Sequence, residues 1–302
     1  MKQNVIVTLL ACSMAICPMM PVVGMTGPMI QIKGSDTEVN LVQHEAEIFM
    51  ETRPEVSIAL TGGGSGTGIA ALINKKADIA NCSRPLKEEE RKLAAESGVT
   101  PVEVPVAIDG IAVIVHPSNP IDHLTLEQVG RIFQGEITNW KAVGGHDMMV
   151  SLYGRQGNSG SYVFFQEHVL NKRDYSTQMK NMNGNAQIVE AMKTDKAGIG
   201  YVGIGYASKE GTVIPGIKVF RIAKEAASRP ISPTDADAVM NRSYPITRYL
   251  YQYTNGVPTG AIKDFLAFFL SDKGQDIVKE EGFYPLSQTD RQKSLKILGV
   301  SQ

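Results

Sequence analysis

The chain has 302 residues, of which 43% are hydrophobic and 20% are charged, and these proportions are ordinary for a globular protein. A chain of this length predicts about two domains. The formal net charge of −1 excludes the basic surface typical of nucleic-acid binding and the polybasic segments that bind membranes. An anionic ligand would therefore have to be held by local geometry and not by overall charge.

The N-terminus has the pattern of a secretory signal peptide. A basic Met1-Lys2 is followed by an apolar run over residues 5–16, which is short for a membrane span of ~20 residues. We predict a signal peptide over residues 1–24, and therefore a periplasmic or otherwise extracytoplasmic location. The run Leu9-Leu-Ala-Cys12 weakly resembles a lipoprotein box, so a lipid anchor at Cys12 is an alternative.

Cys82 is the only cysteine left after the signal peptide, which predicts a mature chain without an internal disulfide. The five histidines are scattered, and no histidine or cysteine cluster has the spacing of metal ligands. We therefore predict no metal and no cofactor.

Strands and helices alternate from residue 31 to about residue 202. Strands are predicted at 31–37, 55–60, up to 80, 102–115, 150–153 and 198–202, with helices at 38–52, from 69, and at 87–97, 124–133, 162–170 and 185–192. This alternation favours a parallel sheet with helices on both faces. Farther along, a polar loop is predicted at 224–243 and two helices at 261–270 and 274–281.

Two strands are candidates for crossings between domains. The apolar strand 102–115 is interrupted at Asp109-Gly110, and an interruption of this kind suits a chain that passes from one domain to another. Residues 244–253, which are apolar and aromatic, are the second candidate.

A glycine-rich turn, Thr61–Gly68, lies between a predicted strand and a predicted helix. Its glycines allow close approach of the backbone to a ligand. The helix that follows directs its unpaired N–H groups and the positive end of its dipole at the turn. This combination is typical of an anion site.

The same arrangement recurs later in the chain. A strand at 150–153 runs into Gly154-Arg-Gln-Gly-Asn-Ser-Gly-Ser161, and a helix follows at once. Arg155 adds a planar donor fork that suits phosphate-like oxygens. Polar turns at Ser35-Asp-Thr37 and at Ser83 also end strands, and strand ends of an α/β sheet meet at one edge. We therefore expect one shared anion.

A dinucleotide site is the main alternative for the glycine-rich turn. Gly66-Thr-Gly-Ile-Ala-Ala71 fits the pattern G-x-G-x-x-A after a strand, and Glu88, Glu89 and Glu90 lie at about the distance of the acid that binds ribose. Export argues against a nicotinamide cofactor. The turn lacks the Lys-Ser/Thr ending of a P-loop, and no nucleophile elbow surrounds Ser65 or Ser159.

Several motifs together resemble those of the phosphate-binding protein of the bacterial phosphate ABC importer, the PstS family. They occur in order from about residue 30 to residue 286. The motifs are Gly34-Ser-Asp-Thr37, Gly62-Gly-Gly-Ser-Gly-Thr-Gly68, Ala77-Asp-Ile-Ala80 with Ser83-Arg84, Asp109-Gly-Ile-Ala-Val113, Ile137-Thr-Asn-Trp140 and Gly198-Ile-Gly-Tyr201.

The resemblance implies an α/β fold, that of a two-lobed type II periplasmic binding protein. Each lobe would be a mostly parallel sheet flanked by helices, with two hinge strands near 108–110 and 244–253. Lobe I would comprise residues 28–108 and 245–302, and lobe II residues 109–244, with the anion site in the cleft between them.

The resemblance also implies the phosphate ligands. The first-turn hydroxyl falls on Thr37, followed by the N–H of Glu38, and the glycine-turn hydroxyl falls on Ser65. The family's Ser-Gly-Thr motif after the arginine is here Ser-Gly-Ser, which keeps a hydroxyl. The full predicted site is Ser35, Asp36, Thr37, Glu38, Ser65, Ser83, Arg155, Ser159, Gly160 and Ser161.

One departure concerns selectivity. Some family members have an aspartate at the position of Ser83, where it accepts the hydrogen of the protonated phosphate. A carboxylate accepts only, so it favours a protonated oxyanion over sulfate. We expect Asp36 to take that role here.

The resemblance implies capture of inorganic phosphate by lobe closure and delivery to the membrane permease of an ABC importer, without catalysis or nucleic-acid binding and as a monomer. One alternative is a binding protein for sulfate, molybdate or tungstate. The other is an exported phosphoryl-handling enzyme with a hydroxyl nucleophile on the same scaffold.

Overall fold

The computed structural model describes residues 27–300. The predicted signal peptide over residues 1–24 and the lipid anchor considered at Cys12 lie outside the described residues. Within them, no helix is both long enough and apolar enough to cross a bilayer.

Strands and helices alternate over the first two thirds of the described chain. The strands are β1 (Met29–Gly34), β2 (Ser57–Thr61), β3 (Ile79–Cys82), β4 (Pro101–Val115), β5 (His123–Thr125), β6 (Ser151–Arg155), β7 (Lys180–Met182), β8 (Gly198–Gly203), β9 (Ser208–Lys209), β10 (Thr212–Val213), β11 (Lys218–Val219), β12 (Arg221–Ala223) and β13 (Thr247–Asn255). The helices are α1 (Val39–Thr52), α2 (Ser65–Ile73), α3 (Glu88–Glu96), α4 (Leu126–Phe133), α5 (Gly160–His168), α6 (Asn185–Thr194), α7 (Ala236–Met240), α8 (Gly260–Phe269), α9 (Asp272–Glu280) and α10 (Gln288–Ile297).

The main sheet has parallel flanks and an antiparallel centre. Its order is β2-β1-β3-β13-β4-β8-β6-β7, with β11 beside β4. On one flank β1 pairs in parallel with β2 and β3, and on the other β6 pairs in parallel with β7 and β8. The central strands β13 and β4 pair antiparallel with each other and with their outer neighbours. The predicted parallel pairing is therefore confirmed for the flanks but not for the centre.

Strand β4 joins the two halves of the sheet. Its residues 101–110 pair with β13, and its residues 111–115 pair with β8. The predicted interruption at Asp109-Gly110 is wrong, because the strand runs through both residues. The buried Asp109 carboxylate is tolerated there because it accepts hydrogen bonds from Arg248 and from the N–H of Ile204.

Apolar packing fixes helices on the first half of the sheet. Helix α1 buries Leu41, Val42 and Phe49 on one face, and the Phe49 ring meets the edge of Phe265 at 5.4 Å between centroids. On the opposite face, Ile69 and Leu72 of α2 belong to a second buried cluster, which includes residues of β13. The sheet thereby has a packed helix layer on each side, as the alternation predicts.

The second half is held by stacked aromatic rings. Phe165 of α5 stacks on Tyr201 of β8 with 4.1 Å between ring centroids, and Phe133 of α4 contacts the Tyr201 ring edge at 5.4 Å. Burying each such ring stabilises the fold by about 2 kcal/mol. This packing places the N-terminus of α5 beside the ends of β6 and β8.

The C-terminal third departs most from the predictions. Residues 224–243 are not all loop, since they contain α7, whose start is capped by the Asp235 side chain accepting from the N–H of Ala238. The strand predicted at 244–253 begins only at Thr247. Helix α10 was not predicted at all, because its mostly polar sequence shows no clear apolar stripe.

Candidate functional site

The turn between β1 and α1 lies in the interior. Ser35, Thr37 and Glu38 are all at most 2% exposed. The N–H of Glu38 donates to the carbonyl of Ser35 at 3.2 Å, so it already has a protein acceptor. The free N–H groups at this end are those of the first turn of α1, which have no intrahelical acceptor.

The glycine-rich turn joins the ends of β1, β2 and β3. Gly64 donates its N–H to the carbonyl of Gly34 at 2.9 Å. Ser65, the first residue of α2, accepts the N–H of Ser83 on its Oγ at 3.1 Å, and the two hydroxyl oxygens lie 3.4 Å apart. These contacts place the Ser65 and Ser83 hydroxyls side by side.

The turn after β6 meets these groups from the other half of the sheet. Ser159 caps α5 by accepting from the N–H of Tyr162 at 3.4 Å, and Ser161 Oγ lies 3.0 Å from Thr37 Oγ1. A Cβ added to Gly160 would lie 2.3 Å from Ser65 Oγ and 2.5 Å from Ser83 Oγ. The four polar turns that were predicted to share one ligand therefore do meet.

Arg155 and Asp36 form an ion pair at the rim of this cluster. Arg155 Nη2 donates to Asp36 Oδ2 at 2.6 Å and to the carbonyl of Asn183 at 3.0 Å. The other Asp36 oxygen accepts the N–H of Gly63 at 2.7 Å. The Arg155 side chain is 2% exposed, and its Nε and Nη1 have no partner among residues 27–300. Two buried nitrogen atoms of the Arg155 guanidinium, Nε and Nη1, can therefore donate hydrogen bonds to a ligand.

Arg248 is a site residue that the sequence reasoning missed. It lies on β13 and pairs with Asp109, with Nη2 at 2.7 Å and Nε at 2.8 Å from Asp109 Oδ2. Its Nη2 also donates to Ser161 Oγ at 2.9 Å and to Thr37 Oγ1 at 3.4 Å, and its Nη1 donates to the carbonyl of Ser83 at 3.0 Å. A lone arginine inside an apolar, aromatic strand was the sequence signal that could have found it.

The contacts of the site hydroxyls orient their protons. A hydroxyl has one proton and two acceptor lone pairs. The Ser161 and Thr37 oxygens accept from Arg248, and the Ser65 oxygen accepts from the N–H of Ser83. One proton of the Thr37–Ser161 pair is used in the 3.0 Å bond between the two hydroxyls, so the other proton of that pair and the proton of Ser65 remain for another acceptor. The cluster is rich in donors, which suits an anion.

Glu38 adds little negative charge to this cluster. Its side chain is buried, and neither carboxyl oxygen has a hydrogen-bond partner in the part of the chain that the structure describes. Burial raises the pKa of Glu38 well above its ordinary value, because the charged form is poorly solvated there. Burial therefore favours the neutral form of the Glu38 carboxyl group, whereas the nearby Arg248 charge favours the ionised form.

The remaining charges balance. Arg155 is matched by Asp36, and Arg248 by Asp109. The positive potential then comes from the free N–H groups and dipoles of α1, α2 and α5, whose N-terminal ends all lie at the cluster. No group of three or more metal-binding side chains occurs in residues 27–300. The arrangement can therefore hold an oxyanion through oriented dipoles.

Glu90, one of the three acids considered for a dinucleotide, is engaged elsewhere. Glu90 binds the Arg84 guanidinium through both oxygens, at 2.6 and 2.7 Å, and also accepts the N–H of Lys87. The N–H of Gly66 donates to the carbonyl of Asn158 at 3.0 Å. These contacts disfavour the dinucleotide alternative.

Comparison of sequences gives a consistent set of relatives. Residues 22–273 match the family model of the PBP superfamily domain. The phosphate-binding protein PstS of Pseudomonas aeruginosa is 32% identical over 294 residues, which cover 92% of this chain and 88% of that protein. The PstS protein of Staphylococcus saprophyticus is 30% identical, covering 85% of this chain and 80% of its own length.

Comparison with solved structures agrees with the comparison of sequences. A chain described as a phosphate ABC transporter substrate-binding protein from Clostridium perfringens, solved with bound phosphate, has a TM-score of 0.75 and 31% identity, covering 86% of this chain and all of its own. An ABC-type phosphate transport receptor from Vibrio cholerae has a TM-score of 0.68 and 27% identity, covering 84% and 99%. The predicted fold class, an α/β two-lobed binding protein of type II, is confirmed.

Proposed function

Because the chain belongs to the PstS family of phosphate-binding proteins, we propose that it captures one inorganic phosphate between two lobes and delivers it to an ABC permease. The observation that carries the proposal is the meeting of polar turns from both halves of the sheet around oriented donors. Calorimetric titration of the mature chain with phosphate tests it, since one saturable site per chain is expected.

The proposed phosphate ligands are the predicted set without the N–H of Glu38, which already donates to the carbonyl of Ser35, together with Arg248. The geometry supports donation from the hydroxyls of Thr37, Ser65, Ser159 and Ser161 and from the guanidinium of Arg155. The free N–H groups in the first turn of α1, and not the N–H of Glu38, are proposed to donate to the phosphate. The predicted contributors are Ser35, Asp36, Thr37, Glu38, Ser65, Ser83, Arg155, Ser159, Gly160 and Ser161.

The proposed lobes are residues 28–108 with 245–302, and residues 109–244. The pairing of β4 supports this division, since its partner changes from β13 to β8 after Gly110. The hinge would then lie at this change of partner and at the entry to β13. Closure removes water from the anion and strengthens its interaction with the donors.

We propose binding without catalysis, by a monomer outside the cytoplasm. In the described residues, the hydroxyls of Thr37, Ser65 and Ser161 contact only other hydroxyls, N–H groups and a guanidinium. A hydroxyl nucleophile needs an adjacent base to become reactive. Phosphatase activity in the purified chain, lost in a Ser65→Ala variant, would contradict this proposal.

Asp36 is the proposed source of selectivity for phosphate over sulfate. Its carboxylate already accepts from Gly63 and Arg155, and its remaining lone pairs can accept the proton of hydrogen phosphate. We expect Asp36→Asn to lower the ratio of phosphate to sulfate affinity at least about tenfold, because a charged acceptor is lost. Competition titrations measure this ratio. A variant that merely weakened the binding of phosphate and sulfate to the same extent would leave the ratio unchanged. An unchanged ratio would remove Asp36 from this role.

Gly160→Ala should weaken phosphate binding strongly without unfolding the protein. The added methyl group would collide with the Ser65 and Ser83 hydroxyls, which lie across the cleft from α5. We expect a loss of affinity of about a hundredfold or more, since closure would be blocked and overpacking typically costs 1–3 kcal/mol at the contact alone. Gly157→Ala is the matched control, because its Cβ meets nothing within 4 Å in the same turn. Equal affinities of the two variants in calorimetry would contradict the proposed closed site.

A further inference from the structure

Asn158 forms hydrogen bonds to the glycine-rich turn that are not needed to bind a ligand. It lies between Arg155 and the α5 cap in the turn after β6. Its Nδ2 donates to the carbonyl of Gly63 at 2.8 Å and to Thr67 Oγ1 at 3.3 Å, and its own carbonyl accepts the N–H of Gly66 at 3.0 Å. One residue thus forms three hydrogen bonds to the glycine-rich turn.

These bonds connect the two halves of the sheet. The glycine-rich turn follows β2, the edge strand of one flank, whereas Asn158 follows β6 on the other flank. Within residues 27–300, the chain passes from one half of the sheet to the other along β4 and returns on its way into β13. An opening that separates these two turns therefore breaks the three bonds.

The glycine-rich turn is shaped for Asn158 as well as for a ligand. A Cβ on Gly64 would lie 2.7 Å from the Asn158 carbonyl oxygen, and a Cβ on Gly66 would lie 3.3 Å from it. The N–H of Gly66, one of the unpaired donors expected at the start of α2, is used by this carbonyl. Two of the glycines therefore serve the approach of Asn158 from the opposite turn.

The Asn158 contacts are separate from the ligand cluster. The side chain of Asn158 is exposed and contacts Gly63 and Thr67, not the buried hydroxyls of Ser65, Ser83 or Ser161. The bonds consequently favour the closed form by the same free energy with or without an anion. Apparent affinity scales with the fraction of molecules in the binding-competent form.

We propose that Asn158 is a positioning residue that holds the lobes closed and sets the rate of phosphate release. The proposal rests on phosphate capture as the function, but it assigns to Asn158 no contact with phosphate. Strengthening or weakening these bonds changes the lifetime of the closed form. Selectivity among anions is left to the residues that touch the ligand.

Stopped-flow binding of phosphate to Asn158→Ala tests the proposal. We expect the dissociation rate to rise about 5- to 30-fold, corresponding to two hydrogen bonds of ordinary strength, while the association rate changes less than about twofold. Asn158→Asp should raise it further, because a carboxylate would face the Gly63 carbonyl. Gln156→Ala is the matched control, since Gln156 donates only to Asn183 Oδ1 within the same half, at 2.6 Å. A dissociation rate for Asn158→Ala equal to that of the control would overturn the proposal.

A second measurement separates this proposal from the proposed function. Energy transfer between dyes on the two lobes of phosphate-free protein reports the closed fraction. Asn158→Ala should lower that fraction and Gln156→Ala should not. If the wild-type chain binds no phosphate, the proposed function fails while this measurement still tests the role of Asn158. An unchanged closed fraction in Asn158→Ala would overturn the role.

Discussion

Replacing Arg155 by alanine is expected to weaken phosphate binding by about 10²- to 10⁴-fold, because hydrogen bonds from charged groups contribute about 1.5–3 kcal/mol each. Arg155 has two buried donors without partners in the described chain, and these would face the ligand. Its loss also leaves Asp36 unpaired beside a dianion. Both effects weaken phosphate binding. Among single substitutions of hydroxyl or arginine side chains in the half of the sheet with β6, β7 and β8, Arg155→Ala should therefore show the largest loss of affinity in calorimetry.

Arg155→Lys separates charge from geometry. Lysine keeps the positive charge but lacks the planar fork that can serve Asp36, Asn183 and an anion together. We expect an affinity between those of the wild type and Arg155→Ala. Arg131→Ala, which removes an exposed arginine paired with Glu136, is the control and should bind as the wild type does. Near-normal phosphate affinity in Arg155→Ala would contradict the site.

Arg248→Met is expected to lower both stability and affinity. The variant leaves Asp109 fully buried and without its cation, and breaking a buried ion pair costs about 3–5 kcal/mol. The Ser161 and Thr37 hydroxyls also lose the N–H donors that orient them. Denaturant unfolding measures the first effect and calorimetry the second.

A double variant distinguishes the two roles of Arg248. Asp109→Asn removes the unpaired charge while its side-chain oxygen can still accept the N–H of Ile204. In the double variant Asp109→Asn with Arg248→Met, we expect most of the stability lost in Arg248→Met to be recovered, whereas the phosphate affinity should stay low. Recovery of affinity together with stability would show that Arg248 supports only the fold.

The polar turns could be predicted from sequence because their signals are local. A strand, a run of Gly and Ser, and a helix start are consecutive in the chain, and parallel strands bring such turns to one edge. Ser65 and Ser159 were found in this way, and the structure brings both turns together. The same reasoning located Arg155, whose position among glycines and serines is unusual for a surface arginine.

Arg248 could not be placed in this way because its partners are distant in sequence. It reaches Ser161 and Thr37 only through the antiparallel register of β13 with β4, which brings it opposite Asp109. That register follows from the whole sheet and not from any local pattern. The uninterrupted course of β4 has the same origin, since Asp109 is a poor strand residue that its tertiary partners stabilise.

We propose that the cleft holds one phosphate through oriented donors, while Asp36 and Asp109 balance the charges of Arg155 and Arg248. Calorimetric titration of the mature chain with phosphate, sulfate, molybdate and tungstate at neutral pH tests it most directly. We expect one phosphate per chain, bound at least about a hundredfold more tightly than the other three anions, because a charged acceptor for the phosphate proton disfavours anions that lack a proton. Equal or tighter binding of sulfate, molybdate or tungstate, or no binding of phosphate, would contradict it.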